Sequence, residues 1–348
     1  MTPSLPAPIR LAAALLLLLG PRLLFSSQPD AAVLRQGIEW GVIHEYDRAL
    51  DLFDRVIRDY PGRPEGPFYR AAICQSMMLD FESGEWRDAF YQGIDTTIAL
   101  AKRLLRSQPR DPDAQFYAGA AYAYKSAQLS REGKYWPAYR AIQSALDYLE
   151  PLLRQDSTYC DARLGIGTWQ YWRSRVTFHF SWLPFFPDRR REGIANILRA
   201  SECTRFSPAS AWSNLTWIYL REKQYDHAIA FARLGLARYP SSRFFLWPLA
   251  EAQFLKTDWA AALESYTALL HVTRRAAHNN GYNELVILWK IAQCCDALGE
   301  KQRAATWYRQ VLACPVAMEV AGRAQDKKEK ASEWLKREGE TALEADQP

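Results

Sequence analysis

The residue types best suited to chemistry are few and scattered in this chain. Its five histidines are His44, His179, His227, His271 and His278. None of the five has a His, Cys or carboxylate partner at the spacing of a zinc site. HExxH, which puts two ligands and a general base on one helix face, is absent, as is the GxSxG nucleophile elbow. Asp80, Glu82, Glu85 and Asp88 form an acidic group that a cation could use, but a solvated hairpin turn accounts for it without a ligand. GIGTWQ, residues 165–170, has the opening glycines of a dinucleotide loop without the third glycine or a preceding strand; it reads as close helix packing. Asn214-Leu215-Thr216 spells a glycosylation triplet, yet it lies in a helical pattern that buries Thr216. No catalytic residue, metal or cofactor is assigned, and the chain reads as a non-enzyme. Cys74, Cys160, Cys203, Cys294, Cys295 and Cys314 show no CxxC pair and no regular spacing. Most fall in apolar helical patterns, so they read as small buried hydrophobes rather than a disulfide framework.

What the chain has in abundance is aromatic surface, with 13 Trp, 18 Tyr and 15 Phe in 348 residues. It is densest in YWRSRVTFHFSWLPFFPDRRREG, residues 171–193. Val176, Phe178, Phe180 and Trp182 alternate there with Thr177, His179 and Ser181, a period of two that resembles a strand. The stretch sits between two helical patterns and has no strand to pair with, so it reads as an insertion, 173–188, in a helical hairpin. Phe180, Trp182, Phe185, Phe186, Arg189 and Arg190 make up a second candidate contact patch. Part of it would pack on its own scaffold. The rest would meet a partner or a membrane interface, where Trp and flanking Arg are favoured.

The elements that position these residues come from a repeat. In WSNLTWIYLREKQYDHAIAFARLGLARYP, residues 212–240, Trp212, Leu215, Thr216, Tyr219, Ala228, Ala232, Gly235 and Pro240 recur at fixed offsets. Thr216 facing Ala228 lets two helices of a hairpin approach closely, and Pro240 ends the unit because it cannot continue a helix. Leu246, Leu249, Ala250, Ala262, Tyr266 and Leu269 repeat the pattern, and Leu288, Ile291, Ala292, Ala304, Tyr308 and Val311 do so again. The best copies are 209–242, 243–276 and 285–318. EYDRALDLFDRVIRDYP, YAGAAYAYKSA and DARLGIGTWQYW give weaker copies upstream. The fold expected is all-α, an α-solenoid of helical hairpins over 29–316. A charged C-terminal helix and tail, 317–348, would cap its end, as such arrays require.

These offsets resemble the tetratricopeptide repeat, W-x2-L-G-x2-Y with a terminal Pro. LGIGTWQYWRSR, WLPFFPDRRREGI and YPSSRFF resemble a group of exported bacterial tetratricopeptide proteins, and the aromatic insertion is distantly similar to the tetratricopeptide-39 and Iml2-like proteins. The resemblance implies an interaction scaffold that holds a peptide or partner helix on its concave side. In the better repeats the face left for that groove carries Trp217, Arg221, Phe244, Trp247, Phe254 and Trp289, with Phe116 and Tyr124 in similar places upstream. Aromatics with an Arg are frequent anchors of recognition. The Lys and Asn set of the carboxylate-clamp repeats is missing, so acidic chaperone tails are not the expected ligand.

Charge and the N-terminus bound the setting. The net charge of +5 includes Arg10 and Arg22 and forms no clustered basic face, which argues against a nucleic-acid partner. Arg10, the apolar run LAAALLLLLG and the small residues of SSQPDAA match a secretory signal or N-terminal anchor, 1–28. The run falls short of the roughly twenty apolar residues that span a bilayer. It predicts export, to a periplasmic or membrane-associated location if the source is bacterial.

Overall fold

The computed structural model describes residues 28–176, 187–206 and 208–345, and the N-terminal segment 1–27 lies outside them. Among the described residues there are fifteen helices and no strand. They pair in chain order into seven antiparallel hairpins and a final helix. The hairpins are α1 (Ala31–Val42) with α2 (Tyr46–Asp59), α3 (Glu65–Phe81) with α4 (Arg87–Ser107), and α5 (Pro112–Arg131) with α6 (Tyr135–Gln155). Then come α7 (Cys160–Val176) with α8 (Arg190–Cys203), α9 (Ala209–Arg221) with α10 (Tyr225–Arg238), α11 (Arg243–Leu255) with α12 (Trp259–Arg274), and α13 (Tyr282–Ala297) with α14 (Lys301–Ala313). α15 (Met318–Ala345) packs back on α13 and α14. No helix among the described residues is long and apolar enough to cross a membrane.

Small residues set the spacing inside each hairpin. Thr216 and Ala228 are fully buried, and the Thr216 hydroxyl donates to the Trp212 carbonyl at 2.8 Å, so the polar group is satisfied where the helices cross. The GIG of residues 165–167 is explained in the same way. A Cβ on Gly167 would stand 2.8 Å from the Gly193 carbonyl, and one on Gly193 would stand 2.7 Å from both the Gly167 carbonyl and the Tyr171 amide nitrogen. The α7 and α8 backbones therefore touch with nothing between them.

That hairpin also corrects the reading of the cysteines. Cys160 opens α7 and Cys203 ends α8, so the antiparallel pairing brings them together, and they form a disulfide across 43 residues. Sequence spacing alone hides this, because the closeness comes from the hairpin and not from a motif. Cys74, Cys294, Cys295 and Cys314 are free and buried.

The array closes on itself. Consecutive first helices, α1 with α3, α3 with α5, α5 with α7 and α9 with α11, touch one another and so form the inner row. Across that row, Asp80 at the end of α3 pairs with Arg243 at the start of α11, both side chains about 10% exposed. The Asn283 amide donates to the Asp80 carbonyl, and Asn280 donates to the Phe81 carbonyl at 2.6 Å. The Ser242 hydroxyl donates to the Val42 carbonyl at 2.7 Å, and Val42, Ala209, Tyr239 and Phe245 share a small buried cluster. Further along, the Arg205 guanidinium donates to Asp113 at 2.5 Å, and Phe206 lies edge-on to Tyr69 at 5.7 Å. Much of the inner wall is thus filled by the chain's own side chains. Phe116, expected on that wall, is buried among Phe68, Tyr117 and Tyr159. Tyr124 is half-buried over Phe68.

Gly193→Val tests the α7–α8 contact. Because the atoms that would clash are backbone, the side chain cannot be absorbed by a rotamer change, and overpacking of this kind costs about 1–3 kcal/mol. Urea unfolding should show a lowered midpoint with the slope preserved; an unchanged midpoint would mean the helices separate freely.

Candidate functional site: an aromatic cleft at the C-terminal end

The six residues expected in one groove do not meet as one surface. Phe244 lies against His44, ring centroids 4.7 Å apart, and takes part in the closure between α1 and α11. Trp217 is half-buried against the core around Leu215 and Ile218, and Arg221 is exposed at the end of α9. Trp247 is half-buried on the core of the last two hairpins. Phe254 and Trp289, in contrast, come together.

They line an open cleft of about 560 Å³ between the turn edge of the last two hairpins and α15. Local sequence explains each wall. α11 ends at Leu255, Thr257 takes the left-handed backbone at φ 64°, and Asp258 accepts the Ala261 amide at 3.3 Å, so the turn is tight and Trp259 opens α12 directly opposite Phe254. The two rings meet edge to face at 5.0 Å. Trp289 on α13 meets Tyr308 on α14 at 5.3 Å, and Tyr308 tilts onto Trp334 of α15 at 4.6 Å. The Trp334 indole N–H donates to the Asp296 carboxylate at 3.0 Å, and Lys301 donates to the same group at 2.6 Å. This fixes α15 as the far wall.

The electrostatics of the cleft are mixed. Lys290 sits 3.9 Å from the Phe254 ring centroid while pairing with Glu251 at 2.9 Å, and the Tyr266 hydroxyl donates to Glu251 at 2.5 Å. Burial pushes the Tyr308 phenol well above its ordinary range, so it stays neutral. Lys330, Glu333 and Arg337 stand at the rim. Among the described residues no group of three His, Cys, Asp or Glu side chains could hold a metal ion. The arrangement suits stacking and apolar anchoring with charged groups outside, the usual composition of a recognition pocket.

Sequence reasoning named Phe254 and Trp289 and missed Trp259, Tyr308 and Trp334. Tyr308 reads in the sequence as a repeat position, and α15 reads as a charged cap. The signal that could have found the far wall is a lone Trp in that otherwise polar helix. In the second patch, Phe180, Trp182, Phe185 and Phe186 lie outside the described residues. Arg189 pairs with Glu192 at 2.6 Å, and Arg190 pairs with Asp188 at 2.8 Å and Glu222 at 3.4 Å.

His44 beside Phe244 yields a pH prediction. Both ring nitrogens are buried without a hydrogen-bond partner, and burial pulls the imidazole down to about 3 against the opposing pull of Asp80, with Arg243 and Tyr46 also facing it. A lowered folded-state value means that the unfolded chain alone takes up this proton as pH falls below 6.5. Stability is therefore lost on the acid side, between pH 6.5 and about 3. His44→Asn, whose side chain tolerates the left-handed φ of 68°, should remove about 2 kcal/mol of the loss between pH 7 and pH 5. Parallel urea curves for the two proteins at the two pH values read this directly.

No family model matches the chain, and no curated protein is similar to it in sequence. Solved structures are similar to it in shape. Cut9 in the APC/C hetero-tetramer Cut9–Hcn1 is 13% identical with a TM-score of 0.50, the match covering 95% of this chain and 59% of that one. The thermophilic TPR protein TTC0263 of Thermus thermophilus is 20% identical over 64% of this chain and 98% of its own, TM-score 0.40. PilW, a type IV pilus biogenesis factor, is 17% identical over 70% and 92%, TM-score 0.44. Hairpin order, the small residues at the crossings and the likeness to Cut9 agree on one conclusion: the chain has the α-solenoid fold of the tetratricopeptide-repeat superfamily.

Proposed function

We propose that this chain is a non-catalytic interaction scaffold that works outside the cytoplasm and holds a peptide or partner helix by an apolar anchor. The observation that carries this reading is the cleft in which Phe254, Trp259, Trp289, Tyr308 and Trp334 converge at the open edge of the array. With much of the inner wall filled, that edge offers an open aromatic cleft of about 560 Å³, and rings held by neighbouring helices bind with little loss of side-chain entropy. Displayed peptides selected on the wild-type chain give the test. Trp289→Ala should weaken their binding by tenfold or more, with the far-UV circular dichroism and unfolding midpoint kept. Equal binding by the variant would sink the cleft as the site.

Export is supported by the N-terminal pattern and by the Cys160–Cys203 bridge, since disulfides persist in oxidising compartments. Peptide mapping of protein recovered from its native compartment should yield the linked Cys160 and Cys203 peptides. Cys160→Ser should cost about 2–4 kcal/mol of stability. Six free thiols in that material would end this part of the reading.

A second reading, contact with a bilayer through residues 171–191, is favoured by the exposure of Trp172 and Val176 where α7 ends.

A further inference from the structure

Large aromatic side chains seldom stand in water without a use, because contiguous exposed apolar patches mark contact surfaces. Three occupy the first two turns of α6: Tyr135 is 75% exposed, Trp136 67% and Tyr139 50%. Trp136 and Tyr139 stack at 5.6 Å, forming one slab. α6 packs on α7, and Tyr139 shares a recess of about 380 Å³ with Trp169 and Arg173. The start of α6 therefore adjoins the end of α7, where Trp172 is 37% exposed and Val176 78%.

The charge around this slab is mixed. Lys134, Arg140 and Arg175 are exposed at its margin. Lys134 and Arg175 each have a carboxylate close by, and among the described residues Arg140 has none. Glu132 accepts from Lys134 at 2.8 Å and from Gln128 at 3.1 Å. Glu222 accepts from the Tyr171 hydroxyl at 2.8 Å, pairs with Arg190 at 3.4 Å and lies 4.0 Å from Arg175. Asp147 and Glu150 are exposed and line the far side of the recess that Tyr139 shares with Trp169 and Arg173, with Arg154 beside them. The tip thus offers rings with polar edges beside exposed Lys and Arg side chains, whose surface ion pairs are weak enough to be exchanged for phosphate. That is the composition that settles at the headgroup level of a bilayer, where Trp and Tyr keep their apolar bodies in and their polar tips out.

We propose that the joined ends of α6 and α7 dock on an anionic phospholipid surface. Tyr135, Trp136, Tyr139 and Trp172 enter the interface, and Lys134, Arg140 and Arg175 face lipid phosphates. This rests on the second reading above, that the chain touches a bilayer, and places the contact on a helical face outside the aromatic insertion.

The test uses the full chain with vesicles of phosphatidylcholine alone or mixed with phosphatidylglycerol, read by hydrogen–deuterium exchange. The amides of Tyr135 and Trp136 lie in the first turn, where N–H groups have no helical acceptor, so covering them is readily seen. Phosphatidylglycerol vesicles should slow exchange at these positions by tenfold or more and phosphatidylcholine alone should slow it far less, with the effect reduced at high salt. The triple variant Tyr135→Ser, Trp136→Ser, Tyr139→Ser should lose the protection with its unfolding midpoint unchanged, because those side chains are exposed. Protection at 187–191 without protection at 135–136 would overturn this face and leave the second reading in place. Protection at neither would overturn both, and protection at 135–136 that requires another protein rather than lipid would overturn the lipid assignment.

Discussion

Asp80 and Arg243 are separated by 163 residues, yet their side chains form a largely buried ion pair that joins the second hairpin to the sixth. Taking both charges out of water is costly, and a buried pair repays that cost only when its remaining hydrogen-bonding groups are also served. Here they are. The Tyr46 hydroxyl donates to the Asp80 carboxylate at 3.1 Å, and Asn283 donates to its backbone carbonyl. Removing either partner would leave an uncompensated charge in the seam. The pair lies in the same seam as the buried cluster of Val42, Tyr239 and Phe245.

This closure decides where another molecule can be held. An open solenoid offers its inner row; here Arg205, Phe206 and the α3–α11 contacts occupy much of that row. Aromatic side chains that would have lined a continuous groove are divided. Phe244 joins the seam, Trp217 and Trp247 lean on their own cores, and Phe254 and Trp289 emerge at the turn edge. The recess there depends on α15, whose Trp334 is bound to Asp296.

The local parts of this architecture were legible in the sequence because they rest on short-range rules. The small residues at 216 and 228 and the glycine at 167 report contacts within one hairpin, the glycine at 165 reports the approach of the preceding one, and the proline at 240 marks a unit's end. What could not be read depends on how the hairpins accumulate. The Cys160–Cys203 bridge follows from antiparallel pairing, and the burial of Phe116 follows from the stacking of consecutive hairpins, which sets Phe68 and Tyr159 against it. The assignment of a single aromatic groove assumed an unobstructed inner face. Nothing in the offsets of one repeat records the curvature summed over seven. The cleft was half visible, since Phe254 and Trp289 belong to repeats, whereas Trp334 belongs to a helix whose polar composition conceals its one anchoring ring.

Repeat arrays ordinarily behave as one-dimensional chains in which each unit reports only to its neighbours, so terminal units fray and partial unfolding proceeds from the ends. A seam linking the first hairpin to the fifth and sixth removes that freedom, since α1 cannot loosen without breaking contacts two hundred residues away. It also lengthens the average loop that must be closed before native contacts reward the chain, which slows folding. This solenoid should accordingly melt as a single block and assemble more like a globular domain than like a stack of independent modules.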